Sequence, residues 1–383
     1  MKIRRQHSPR VLFTHREMDS ITLHLAQYLA SKAHWEVYVT AECKPSQKVE
    51  SSPWQEGGIT YLPLSPITSK CSWPAICQLR RYDSCYCFDL IYSVGSSGLS
   101  NALLATLGRR GKHIGYRGTG ARVRRWDPTY YLGVLNPRVT HLICETEHIR
   151  SYMEHFIPPS KLSVHTKPFA LEWTQEAARE PLHPKADRPI SLRLVSVANT
   201  LGRPYKGLTT LVEAINLIAD PSLSLVLVGD YSGADYALAM RGPVPECFHF
   251  VGPSSEAMRY IAGAEVYVLP SYRDASPRVL REAMALGLPT IVSNIPGSRD
   301  LIVPGYTGLL AEPRDPTDLA RQICWMQEHP EERRLMGERS REHLEQHYAL
   351  EPYLQGLHQL FASILGVELD ESSPSILSSS VSP

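Results

Sequence analysis

The chain has 383 residues, of which 43% are hydrophobic and 21% charged, with a formal net charge of +1. That length predicts two domains and that composition excludes a disordered or collagen-like chain. No apolar run approaches the ~18–20 residues that cross a bilayer as a helix.

The small net charge hides a polarity. Residues 1–170 carry 22 Lys+Arg against 12 Asp+Glu, a balance of +10, and residues 171–383 carry 18 against 27, a balance of −9. Such asymmetry points to an anionic surface or ligand for the first half. The start, MKIRRQHSPR, is basic but lacks the apolar stretch of a signal peptide, so a cytoplasmic location is expected. Four of the eight cysteines fall between 71 and 87 without the CxxC spacing of a zinc site. Reduced thiols and no metal site are expected.

In chain order, Val11-Leu12-Phe13 opens a strand. Residues 19–33 form a helix with Ile21, Leu25, Tyr28 and Leu29 on one face. Strands follow over 36–40 and 89–93. Then come Gly95-Ser96-Ser97-Gly98, a helix over 99–107, and strands over 113–116 and 141–144. Strands alternating with helices mean a parallel sheet covered on both faces. Arg109, Arg110 and Lys112, and then Arg122, Arg124 and Arg125, are the densest basic text. They suit anionic lipid headgroups or a lipid diphosphate, or equally a solvated face.

After 162–165 the segment 173–190 is polar, charged and Pro-containing, and is expected to link the domains. A second alternation begins at 192–197, continues at 223–228 and reaches 248–252. Loops at the carboxyl ends of parallel strands are where α/β proteins bind ligands. Those loops carry Asn199, Arg203 and Lys206, then Gly229 and Asp230, then Val251 and Gly252. Arg203 and Lys206 are two cations where a departing diphosphate would need neutralising.

The densest signal is residues 265–302. An apolar run ends at Pro270, and a polar turn carries Asp274 and Ala275. Ser276-Pro277 reads as N-cap and first helical position, Glu282 falls inside the helix, and Gly287 ends it before a strand at 289–292. A helix N-terminus suits a diphosphate and carboxylates suit hydroxyl groups. Together they describe a nucleotide-sugar site. Residues 317–366 are mostly helical, and the Ser-rich tail from 371 reads as disordered.

This text resembles the donor-site signature of family 4 glycosyltransferases, which have the GT-B fold. The resemblance rests on Asp274 and Glu282, with seven residues between them, on Gly287-Leu288-Pro289, on Gly297-Ser298-Arg299-Asp300 and on Gly305-Tyr306-Thr307-Gly308-Leu309-Leu310. It implies two Rossmann-like domains facing each other across a cleft. The acceptor-side domain is residues 1–172 and the donor domain residues 191–349, with a C-terminal helix over 350–366 crossing back and a tail over 367–383. It further implies that Asp274 contacts the transferred sugar and Glu282 the ribose. Arg203 and Lys206 then reach the phosphates, the backbone near Val251-Gly252 meets the base, and no metal is needed.

The chain departs from that pattern in three places. Asp274 stands for the usual Glu. Thr14-His15-Arg16-Glu17-Met18-Asp19 has no Gly-rich loop after the first strand, leaving His15 or Arg16 as substitutes. Tyr116-Arg117-Gly118 puts Arg117 where many members carry His, and Arg117 is expected there as a catalytic residue that aids the leaving phosphate or the acceptor. The resemblance implies a retaining transferase that moves a sugar from a nucleoside-diphosphate sugar to a glycan or lipid-linked acceptor, in bacterial surface polysaccharide or lipopolysaccharide assembly, at the inner face of the membrane. A catalytically degenerate binder of nucleotide sugar or glycan is the alternative. No nucleic-acid motif accompanies the basic half.

Overall fold

The structure, a computed structural model, describes residues 8–15, 19–42, 54–184 and 187–369. Residues 16–18, the His15 side chain and the tail from 370 lie outside the described residues, so the expectations for His15, Arg16 and the tail do too. The chain divides into two compact units. One is Met1–Lys167 with Glu351–Pro383, and the other is Pro168–Leu350.

The first unit holds β1 (Arg10–His15), β2 (Glu36–Glu42), β3 (Trp54–Glu56), β4 (Ile59–Leu64), β5 (Leu90–Val94), β6 (Lys112–Arg117), β7 (Val139–Cys144) and β8 (Leu162–Val164). Their order in the sheet is β3-β4-β2-β1-β5-β6-β7-β8. Every neighbouring pair is parallel except β3 on β4. That hairpin was missed in the sequence although Gly57-Gly58 marks it. Both glycines have positive φ, +57° and +79°, as a two-residue type I′ turn demands. The helix Trp73–Tyr86 was also missed. It buries Ala75, Ile76 and Leu79 in a core with Leu12, Leu62 and Ile91. The helix Leu350–Leu365 belongs to this unit from Glu351 onward. Its Phe361 ring packs 5.4 Å from Tyr92.

The second unit holds β9 (Leu192–Val197), β10 (Leu223–Val228), β11 (Phe248–Gly252), β12 (Val266–Leu269), β13 (Thr290–Ser293) and β14 (Gly308–Ala311). They form one parallel sheet ordered β11-β10-β9-β12-β13-β14. Side chains alternate across it with period two. Leu194, Leu225, Leu227, Val266 and Val268 enter one core, with Leu211 and Ile323 of covering helices. Val195, Val226, Val228, Tyr267 and Leu269 enter the other, with Leu280 and Met284. Both faces are buried, which is why these strands read as unbroken apolar runs.

The segment expected to be a linker, 173–190, departs from that reading. Its described residues lie in the second unit. Thr174 ends a 3₁₀ turn, Gln175–Arg179 is helical, the Leu182 amide donates to the Arg259 carbonyl at 2.9 Å, and Glu180 pairs with Arg259. A polar composition is compatible with a solvent-facing strap anchored by a few such bonds, and composition alone does not separate strap from linker.

Candidate functional site

In the second unit the loops after β9 and β12 are drawn together. Gly207 has φ +76°, and a Cβ there would lie 1.9 Å from the Pro270 carbonyl oxygen. Only glycine allows that approach. The Tyr272 amide donates to the Tyr205 carbonyl at 2.7 Å, and Arg273 lies 4.7 Å over the Tyr205 ring. The result is an ion pair between Lys206 Nζ and Asp274 Oδ2 at 2.8 Å, with the side chains 20% and 17% exposed. Asp274 Oδ1 accepts from the Ala275 amide. Gly297 closes the turn from behind, since a Cβ there would sit 2.2 Å from the Asp274 carbonyl oxygen.

These residues open on a cavity of about 420 Å³, within the range of small-molecule sites. Its wall includes Asn199, Arg203, Lys206, Gly229, Asp274, Ser276 and Pro277, all singled out in the sequence. It also includes Pro253, Ser254, Ala257, Arg278 and Val279, which were not. Pro253 and Ser254 follow β11, so the strand-end rule applied to that strand would have found them. Asp230, Val251, Gly252 and Ala275 stand just outside the wall. The Asp230 carboxylate accepts from the Leu201 amide at 2.9 Å, its amide donates to Asn199 Oδ1 at 3.2 Å, and the Gly252 carbonyl accepts from Gly229. They brace the loops that line the cavity.

The helix begins later than the sequence suggested. It spans Arg278–Ala285, with Pro277 as the cap residue and no side-chain cap. Ser276 is therefore not the N-cap. Its hydroxyl accepts from Arg281 instead. The first-turn amides of an α-helix have no partner within it, and here the first turn, Arg278 and Val279, is part of the cavity wall. Glu282, one turn in, is 9% exposed and does not reach the wall. Its Oε1 accepts from Arg278 Nε at 3.0 Å, across an arginine side chain that is 63% exposed. Burial raises the Glu282 pKa, and Arg278 offsets part of that rise. The Arg203 side chain is exposed, and no ion pair holds it among the described residues.

The first unit has a separate cavity of about 580 Å³ at the carboxyl ends of β5, β6 and β7. Its wall includes Lys70, Ser96, Arg117, Glu145 and Lys167. Arg117 is 9% exposed. Its Nη2 donates to the Ala121 carbonyl, and burial lowers its pKa. Tyr116 donates to Glu145 Oε2 at 2.5 Å. Lys167 pairs with Asp19 at 2.5 Å.

The two basic stretches do not form one patch. Arg109, Arg110 and Lys112 stand at the amino end of β6, where all three line a pocket with Asp83 and Asp89. Arg122, Arg124 and Arg125 follow its carboxyl end. Six residues of strand separate the two ends, roughly 20 Å.

Among the described residues no group of three or more His, Cys, Asp or Glu side chains is placed to hold a metal ion. No helix among them is long and apolar enough to cross a membrane.

Residues 191–329 match the family of group 1 glycosyl transferases. Over 177 residues the chain is 27% identical to N-acetyl-alpha-D-glucosaminyl L-malate synthase of Bacillus anthracis, covering 45% of each chain. Over 151 residues it is 32% identical to the putative teichuronic acid biosynthesis glycosyltransferase TuaC of Bacillus subtilis, covering 39% of this chain and 36% of that one. The match thus spans less than half the length of these curated relatives. The fold resembles that of HepE from Anabaena, solved in complex with UDP, with a TM-score of 0.72 and 15% identity over 93% of this chain and all of that one. The family match thus covers most of the second unit, and the two parallel-sheet units have the GT-B fold of the solved glycosyltransferase structures.

Proposed function

We propose that this chain is a retaining glycosyltransferase that takes its donor, a nucleoside-diphosphate sugar, in the cavity of the second unit. The observation that carries the reading is the Lys206–Asp274 pair, at 2.8 Å, set in the same wall as an uncapped helix N-terminus. Cation and helix terminus suit a diphosphate, and the carboxylate suits sugar hydroxyls. The UDP bound by HepE supports the nucleotide class. The synthase of B. anthracis and TuaC of B. subtilis support a bacterial sugar transfer, with TuaC named for teichuronic acid biosynthesis.

The chemistry follows from charge. The bond from sugar C1 to the phosphate oxygen breaks, and negative charge builds on the leaving diphosphate. Lys206, Arg203 and the first-turn amides stabilise it where it develops. The acceptor oxygen bonds to C1 on the same face, and its proton passes to the departing phosphate. No protein base is required on this route, and no metal. Turnover is expected to persist in EDTA, and its loss on chelation and return with a divalent cation would count against this assignment. Asp274 exchanges its bond to Lys206 for sugar hydroxyls, and Glu282 receives the ribose once Arg278 swings into solvent. Contact of Arg122, Arg124 and Arg125 with anionic lipid at a membrane surface belongs to the same reading. Sedimentation with vesicles rich in anionic lipid tests it, and equal recovery with neutral vesicles would exclude it.

A binder without turnover is the alternative, motivated by Asp274 in place of Glu and by Arg117. Mass spectrometry of a donor panel separates the two. Slow release of free sugar from one donor marks a transferase, and saturable binding with no product in the presence of acceptor marks a binder.

A further inference from the structure

Two cations of the first unit's cavity, Arg117 and Lys70, have no carboxylate within 4 Å among the described residues, although Asp127 is near enough to Lys70 to feel its charge. Arg117 is nine-tenths buried, and among the described residues its Nε has no hydrogen-bond partner and its guanidinium donates only to a carbonyl. Lys70 likewise donates to neutral oxygens, Thr129 O at 3.1 Å and Thr129 Oγ1 at 2.7 Å, and lies 4.7 Å over the Tyr130 ring. Neither cation has a carboxylate within ion-pair distance among the described residues. Lys167 is already matched by Asp19. Glu145, the carboxylate in the wall, accepts from Tyr116 and makes no ion pair with Arg117.

The sheet register brings a third element to the same place. Val94 pairs with Tyr116 across β5 and β6. The helix Ser96–Ala105, which leaves β5, therefore starts beside Arg117, which ends β6. Its cap residue is Gly95, with no side chain to cover the first-turn amides, and Gly95 and Ser96 line the cavity. An uncapped ten-residue helix N-terminus attracts an anion. A buried guanidinium lacking a counter-ion is costly until one arrives. Leu99, Val134 and Leu142 in the wall give a carbon skeleton something to rest on.

We infer that this cavity selects an acceptor bearing an oxyanion, a phosphate or carboxylate, beside the hydroxyl that receives the sugar, with Arg117, Lys70 and the Ser96 turn as its anion site. The inference rests on the donor reading above for the word acceptor, but the anion site stands or falls by itself.

The test uses the full chain saturated with whichever of UDP, GDP, ADP and dTDP it binds, so that the second unit's diphosphate site is filled. Calorimetric titration with glycerol, glycerol 3-phosphate and glycerate compares a neutral, a phosphorylated and a carboxylated form of one small polyol. At least one charged form is expected to bind saturably, at least tenfold tighter than glycerol, and the better one names the oxyanion. Lys70→Met and Arg117→Gln should each weaken it at least tenfold, and Arg117→Lys should restore part of the loss. If Arg117→Gln does not fold, as a melting curve will show, Lys70→Met carries the test. Equal binding of glycerol, no saturable binding, or binding indifferent to the substitutions overturns the inference. Failure of all four nucleotides to bind at the outset would instead indict the donor site.

Discussion

At the scale of single residues the donor site is a matter of where charge is held before the substrate arrives. Asp274 holds Lys206 at the cavity wall, and in the proposed reaction sugar hydroxyls take over that carboxylate and leave the ammonium to the diphosphate. Lys206→Met should lower kcat about 10²- to 10³-fold with a smaller change in KM, read from steady-state kinetics on the cognate donor. A loss confined to KM would mean that Lys206 binds the ground state only. Glu282 is different, because burial raises its pKa. Its folded pKa lies above its unfolded one, so the associated stability is present at low pH and is lost as pH rises through the folded value. Glu282→Gln, which cannot ionise, should therefore leave the melting temperature at pH 7.5 unchanged or raised. It should still weaken donor binding by roughly tenfold or more, the worth of a hydrogen bond to a charged group. A large drop in melting temperature would show that Glu282 is structural.

At the scale of elements, glycines set how closely the loops approach. Gly207→Ala places a methyl 1.9 Å from the Pro270 carbonyl at a positive φ, so the two loops must part. A loss of more than ~2 kcal/mol is expected together with weakened donor binding, measured by denaturant titration and calorimetry. Stability within ~0.5 kcal/mol of the parent would contradict this packing. Elements were legible where the physics is local and repetitive. The parallel strands of the second unit are long apolar runs, and the boundaries of β9, β10 and β11 coincide with the apolar text. The β3–β4 hairpin was not legible because its strands mix polar and apolar residues, and its one strong sign is two adjacent glycines. The helix start at Arg278 was displaced because Ser276 found a tertiary partner, Arg281, which no local rule anticipates. The loop residues Asn199, Arg203, Lys206, Gly229 and Asp274 were legible as the ends of strands. Arg278 and Glu145 were not, because only tertiary packing shows which neighbours they meet.

At the scale of the whole molecule, one buried and two half-buried histidines contribute to acid sensitivity. Burial lowers His113 to about 3, and lowers His165 and His343 to about 4. Each folded value lies below the unfolded ~6.5, so the unfolded chain takes up protons first and stability falls as pH drops through that window. By pH 5.5 each histidine should cost about 1 kcal/mol, spread over both units. Denaturant midpoints at pH 7.5, 6.5 and 5.5 should decline in step, and a flat series would contradict the neutral assignment. The charge polarity also fits the division of labour. The basic half contains the cavity with unmatched cations, and the acidic half places its carboxylates, Asp274 and Glu282, where hydroxyl groups are proposed to bind.

The second unit's cavity is proposed to hold a nucleoside-diphosphate sugar between Lys206 and Glu282. Isothermal titration of the full chain with UDP-, GDP-, ADP- and dTDP-sugars tests it most directly, repeated on Lys206→Met and Glu282→Gln. One donor is predicted to bind saturably to the parent and at least tenfold more weakly to each variant. Saturable binding that neither substitution weakens, or no binding of any donor, would contradict the account.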